Sequence, residues 1–217
     1  MKNLYIYCEG FTEESFVNSI LYPYLMNAEI YVSPIVCVTK RTGTSKFKGG
    51  ISSYKKIRDE LLILCKQHKN EAVTTMFDYY GLPGNTPGFA DASGDFYNKV
   101  LQIERAVEAD IRMPNLFFSL TVHEFEGLLF SDTSAFGAIS DSKTIAKLQA
   151  VRDKFASPEH INNSVDTAPS KRLIKLIPGY AKTGYGTILS GRIGIEAMLS
   201  ECQHFREWIS KIISWPY

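Results

Sequence analysis

The chain has 217 residues, enough for one sizeable core and short of two full domains. An apolar fraction of 45% and a charged fraction of 22% are globular values, and a formal net charge of +1 excludes a global electrostatic pull toward nucleic acid or membrane. No apolar run approaches the roughly 20 residues of a membrane helix. The first residues read as a strand rather than a signal peptide. Cys8, Cys37, Cys65 and Cys202 form no CxxC pair, so zinc and thioredoxin-like chemistry are not indicated, and buried free thiols in a cytoplasmic protein are expected.

Leu4–Cys8 predicts a first strand that ends at Glu9-Gly10. Thr12 suits an N-cap with Glu13 and Glu14 in the first helical turn, and Phe16, Val17, Ile20, Leu21 and Leu25 keep helical spacing. Ile30–Val38 predicts a second strand. The lysine- and glycine-rich loop Arg41–Gly50 lacks P-loop spacing; it offers backbone contacts to nucleic acid or is simply solvated. Ile51, Tyr54, Ile57, Leu61 and Cys65 trace a helix face, and Ala72–Phe77 is a third strand ending at Asp78. Gly81–Gly88 is turn-rich. Phe96, Val100, Ile103 and Val107 mark a helix before a fourth strand, Leu116–Val122, which runs into His123-Glu124-Phe125-Glu126. Such alternation predicts an α/β fold with a mainly parallel four-stranded sheet and right-handed crossovers. Beyond residue 131 strand signals stop. A short helix around Ile145 and Leu148, a polar loop over Ser157–Pro169, and helices over Ser170–Ile177, Ile188–Leu199 and Phe205–Ile213 are expected. Residues 1–131 thus form the α/β core and 132–217 a helical extension packed on it.

Glu9, Asp78 and Glu124 each follow directly on an apolar strand. Parallel strands open their carboxyl ends on one edge, where ligands bind at the point of strand-order reversal. With strand order 2-1-3-4, Glu9 and Asp78 face each other and Glu124 flanks Asp78. Converging carboxylates repel, and a hard cation such as Mg2+, or Mn2+, removes that penalty. Two ions would clamp both oxygens of a phosphodiester displacement. The plainer alternatives are a turn-opening Asp78, a solvated Glu126, and Glu14 serving only the helix dipole. His123 has no second histidine at ligand spacing and suits packing better than zinc. Tyr79 and Tyr80 suit base stacking, with one of the two alternating inward.

Glu9-Gly10-Phe11-Thr12-Glu13-Glu14 resembles the EGxTE signature that opens Toprim domains, especially those of overcoming-lysogenization-defect nucleases. Closer is a resemblance to one prokaryotic Toprim-like family, domain of unknown function 4276. It is carried by Met76-Phe77-Asp78-Tyr79-Tyr80-Gly81-Leu82-Pro83, His123–Phe130, Ala168–Leu173, Tyr180-Ala181-Lys182 and Cys202–Trp208, nearly the whole chain. The resemblance implies a Toprim-like three-layer α/β/α fold and a metal-dependent phosphodiester site. It also implies a nuclease acting beside an ATPase partner in anti-phage abortive infection. Glu9, Asp78 and Glu124 would hold metal, with Glu13 and Glu126 as secondary ligands or acid/base groups. Lys171, Arg172 and Lys182 would stabilise phosphate charge, Lys171 and Arg172 from a helix start that otherwise is only a solvated face. The second Asp of the DxD pair that Toprim enzymes use for metal is absent, because Asp78 is followed by Tyr79-Tyr80. Glu124 or Glu126 replaces it, the site holds one ion, or the protein is an inactive binding subunit that regulates an ATPase.

Overall fold

The computed structural model describes residues 2–37, 53–162 and 167–217. β1 (Lys2–Cys8), β2 (Ile30–Val36) and β3 (Ala72–Asp78) form a parallel sheet with β4 (Leu116–Phe117) in the order β2-β1-β3-β4, and β5 (Leu120–Thr121) also pairs with β3. The expected α/β architecture and strand order are present. The Arg41–Gly50 loop lies outside the described residues.

Period-two alternation divides the sheet into two faces. Leu4, Ile6, Cys8, Ala72 and Met76 face one core; Tyr7, Val73 and Phe77 face the other. α3 (Tyr54–Gln67) and α4 (Phe96–Ile111) cover the second face through Ile57, Leu61, Val100, Ile103 and Val107. Ser53 and Asp95 cap these helices by accepting from the backbone N–H groups of Lys56 and Asn98. The first face is covered by α1 (Phe11–Phe16), which passes through a π-helical turn, Val17–Leu21, into α2 (Tyr22–Met26). Pro23 lacks the N–H that an α-helical ladder needs there, and a π turn is one way for a helix to absorb that loss.

Four later helices complete the first face: α6 (Pro169–Leu176), α7 (Lys182–Ile193), α8 (Ile195–Glu201) and α9 (Gln203–Ser214). α5 (Ser142–Arg152) contributes Leu148 to the same core. Leu4, Ile6 and Phe16 share this core with Leu189, Phe205 and Ile212. Trp208 Nε1 donates to Thr74 Oγ1 at 3.0 Å, tying α9 to β3.

Four local expectations are corrected. Gly10, not Thr12, is the N-cap of α1, and its backbone is extended at φ −156°. Glu13, at the third helical position, is hydrogen-bonded back to the Gly10 amide, half of a capping box. The fourth strand is broken into β4 and β5 without a change of register, since Val73 pairs Leu116 and Phe77 pairs Leu120. Between them the backbone is drawn to side chains: Phe118 N–H donates to Glu108, Leu120 N–H to Glu104, and Ser119 bonds the Thr75 hydroxyl through both N–H and C=O. One of the tyrosines, Tyr79, packs inward on the second core as expected, but not by alternation along a strand, because Tyr79–Gly81 is a 3-10 turn. The helix expected over Ile188–Leu199 starts earlier, at Lys182, and breaks at Gly194, whose φ of +76° ends α7 and opens α8.

Candidate functional site

The carboxyl ends of β1, β3 and β5 open on one edge, and backbone hydrogen bonds lace the acidic side chains there together. Asp78 N–H donates to Glu9 Oε2 at 3.1 Å, and Phe125 N–H donates to Asp78 Oδ1 at 2.8 Å. Glu124 Oε2 accepts from Ser170 N–H at 3.0 Å, in the first turn of α6. Each of these three carboxylates therefore spends one oxygen on a backbone amide. Apart from a 4.0 Å contact between Glu124 Oε1 and Lys182 Nζ, their second oxygens make no further polar contact among the described residues. Glu126, 2% exposed, is held by Lys182, whose Nζ lies 3.1 Å from Oε2. Glu13, 7% exposed, lies on the first turn of α1.

Gly81 makes this arrangement sterically feasible. A Cβ at that position would lie 2.5 Å from Glu9 Oε2 and 2.6 Å from Oε1, so only a glycine lets the turn after β3 approach the Glu9 carboxylate. His123 adopts φ +64°, a left-handed conformation that turns the chain between Val122 and Glu124. Its ring packs on Phe96 and Tyr80 and shares a 3.2 Å hydrogen bond with Asn162 Nδ2, the packed or hydrogen-bonding role expected of it, and burial lowers its pKa to about 4.

The electrostatics follow from five carboxyl groups facing one ammonium. Burial raises the pKa of Glu9, with Glu124 and Glu126 adding to it and the Asp78 amide and Lys182 opposing. Asp78 stands well above the usual carboxylate range through burial first, then Glu13, Glu9 and Glu126. Burial is also the first cause of the raised values at Glu13 and Glu126. For Lys182 burial pulls downward, but Glu126, Glu124 and Asp78 outweigh it and its pKa is raised. The group is under-neutralised: it favours either extra protons or an added cation.

The donor set suits a hard cation. Every potential ligand is a carboxylate oxygen, and backbone amides already orient three of them, as outer-shell partners do around metals. Among the described residues no three His, Cys, Asp or Glu side chains form a ready-made ligand cluster. Mg2+ commonly takes one or two protein carboxylates and keeps several waters, so this arrangement fits it better than zinc, whose sites are usually built around His or Cys. The four cysteines are free and buried.

Of the residues singled out by sequence, Glu9, Glu13, Asp78, Glu124, Glu126 and Lys182 are brought together. Arg172 is engaged elsewhere: its Nε donates to Thr167 O at 2.7 Å and its guanidinium lies 5.5 Å from the Phe155 ring centre. Lys171 is exposed on α6. The N-terminus of α6, expected to attract phosphate, serves Glu124 instead. Gly81, the Ser170 amide and the Phe125 amide were not singled out. Gly81 left a trace as a glycine three residues after Asp78, and the Ser170 amide as part of an expected helix start.

A family model described as a domain of unknown function, DUF4276, matches residues 8–213, and the chain belongs to that family. No curated protein and no solved structure matches it. Among the described residues no helix is long and apolar enough to cross a membrane.

Proposed function

We propose that this member of the DUF4276 family is a Mg2+- or Mn2+-dependent phosphodiester-processing enzyme, a nuclease acting on DNA or RNA. The observation that carries this is the lacing of three strand-end carboxylates by backbone amides, Asp78 to Glu9, Phe125 to Asp78 and Ser170 to Glu124, in a group with one lysine. Glu9, Asp78 and Glu124 would hold the cation, directly or through its retained waters, with Glu126 as a secondary ligand. The bound ion supplies charge neutralisation at the phosphoryl oxygens. Glu13, whose pKa burial raises, is the acid/base group beside Glu9. Lys182 places a positive charge where negative charge grows on the phosphoryl group. Lys171, exposed nearby in sequence to Ser170, suits a flanking phosphate; Arg172 is left to the packing of α6. A Toprim-like chemistry, an ATPase partner and a role in anti-phage defence belong to the same proposal and rest on the family resemblance.

The test is cleavage of plasmid, single-stranded DNA and RNA with Mg2+ or Mn2+, comparing wild type with Glu9→Ala and Asp78→Ala. Loss of cleavage in both variants is expected, and equal cleavage by all three proteins overturns the proposal. A second assignment, an inactive regulatory subunit of an ATPase complex, is favoured by one contact: Lys182 already neutralises Glu126 with an internal cation. Calorimetry separates the two, because that subunit would bind no Mg2+ at millimolar concentration.

A further inference from the structure

The turn after β3 carries two adjacent tyrosines in different surroundings. Tyr79 packs on the second core, with its ring stacked on Phe89 at 5.4 Å between centroids and set edge-on to Phe96 at 4.5 Å. Tyr80 packs on neither core among the described residues and is only half-buried. Backbone contacts place it between two of the acids. Its N–H donates at 3.2 Å to His123 O, the carbonyl of the peptide bond that leads into Glu124. The next residue, Gly81, lies so close to Glu9 that a Cβ there would sit 2.5 Å from Oε2. Consecutive Cα atoms are about 3.8 Å apart, so Tyr80 stands one residue's length from the edge of the acidic group.

The Tyr80 ring is held from behind. It stacks on the His123 ring at 5.5 Å between centroids and 26° between planes, and His123 packs on Phe96 at 3.7 Å. Tyr79 meets it only edge-on, at 5.8 Å. Phe96 opens α4, so the series Phe96, His123, Tyr80 runs from a packed helix to the acidic edge and fixes the tyrosine there. A fixed ring that is still partly in water is a platform for stacking, and every nucleobase has a π face to lay on it. The charge of the site makes such a contact useful. Lys182 is the one ammonium facing five carboxyl groups, so this edge offers a nucleic-acid backbone little attraction, and strand affinity needs an uncharged source. We propose that the Tyr80 face turned away from His123 stacks on an unpaired base beside the phosphate held at the acidic edge. The substrate is then a single or locally unpaired strand, because paired bases are already stacked on both sides. This rests on the phosphodiester assignment above.

Tyr80→Leu removes the π face and keeps apolar bulk, whereas Tyr80→Phe keeps the face. Calorimetry with Mg2+ alone is compared with binding of short single strands, DNA and RNA, with Mg2+ in non-cleaving conditions. A DNA strand of the same length built from abasic residues is the control. Tyr80→Leu should bind the base-bearing strands about tenfold more weakly, about 1.4 kcal/mol, and Tyr80→Phe should match wild type. All three proteins should bind the abasic strand alike, more weakly than wild type binds bases, with Mg2+ affinity unchanged. Equal strand affinity in Tyr80→Leu overturns the platform. So does a loss that extends to the abasic strand or to Mg2+, because Tyr80 would then only support the site. A wild type that binds abasic and base-bearing strands equally also overturns it, and that comparison needs no variant. If wild type binds neither Mg2+ nor any strand, the phosphodiester assignment fails and takes the platform with it. If wild type binds both and Tyr80→Leu binds both equally well, only the platform fails.

Discussion

Glu159 and Glu126 are about equally dry, at 6% and 2% exposure, yet their surroundings differ in kind. Glu159 caps α9 with both oxygens, accepting from His204 N–H and Phe205 N–H at 2.9 Å each. Nearby, Glu104 accepts from Leu120 N–H at 2.8 Å and from His204 Nε2 at 3.0 Å. Burial disfavours the charged His204 ring, but the hydrogen bond and charge of Glu104 outweigh it, and its pKa is raised. This polar group under α9 is closed: its carboxylates are matched by backbone donors and the His204 ring. At the strand ends, Glu9, Asp78 and Glu124 each receive one amide, and Glu126 shares the lone lysine. Acids buried for architecture are satisfied within the chain. The acids at the strand ends keep oxygens that the chain leaves without a hydrogen bond among the described residues.

The contrast breaks first at Glu159. Glu159→Ala should cost about 3 kcal/mol in urea denaturation, because two backbone donors at the start of α9 lose a charged acceptor. Gly81→Ala should leave stability within about 1 kcal/mol while weakening Mg2+ binding by roughly tenfold in calorimetry. Its backbone accepts an alanine, but the new methyl displaces the Glu9 carboxylate. Asp78→Asn should do the opposite of Glu159→Ala and raise metal-free stability by about 1 kcal/mol near neutral pH, since it removes a charge that burial disfavours.

The smallest effect is in pH. A group whose folded pKa is raised contributes stability that is complete below its unfolded value and lost as pH rises through the folded one. Asp78, Glu9, Glu13 and Glu126 are all raised, so metal-free stability should gain from them as pH falls from neutral toward the ordinary carboxylate range. His204, also raised, has the same sign in a window that begins at 6.5. His123, lowered to about 4, acts oppositely as pH falls from 6.5. Comparing wild type with Asp78→Asn cancels the histidines. The advantage of the variant should shrink steadily as pH falls in a urea-denaturation series; a constant difference would show that Asp78 carries no raised pKa.

Much of the sheet was legible because its signals are local. Runs of five to nine residues rich in apolar and β-branched side chains read as buried strands, and their alternation with helical spacing pointed to parallel pairing. Glu9, Asp78 and Glu124 were legible for the same reason, as the first charges after each run. The break between β4 and β5 was not, because Leu116–Val122 looks like one strand until Glu104 and Glu108 draw off its amides. Arg172 misled similarly: a guanidinium at a helix start suits phosphate as well as it suits Thr167 O and the Phe155 ring.

By itself, then, the order of apolar and charged residues determined the parallel α/β sheet and the acidic character of its open edge, since burial of alternating faces leaves one outcome. Tertiary structure alone decided which of those acids are closed and which are left with capacity. That choice depends on partners far apart in the chain, Lys182 for Glu126 and the His204 amide for Glu159. Hydrogen bonds of about 3 Å are made by proximity in space, which spacing along the chain does not encode.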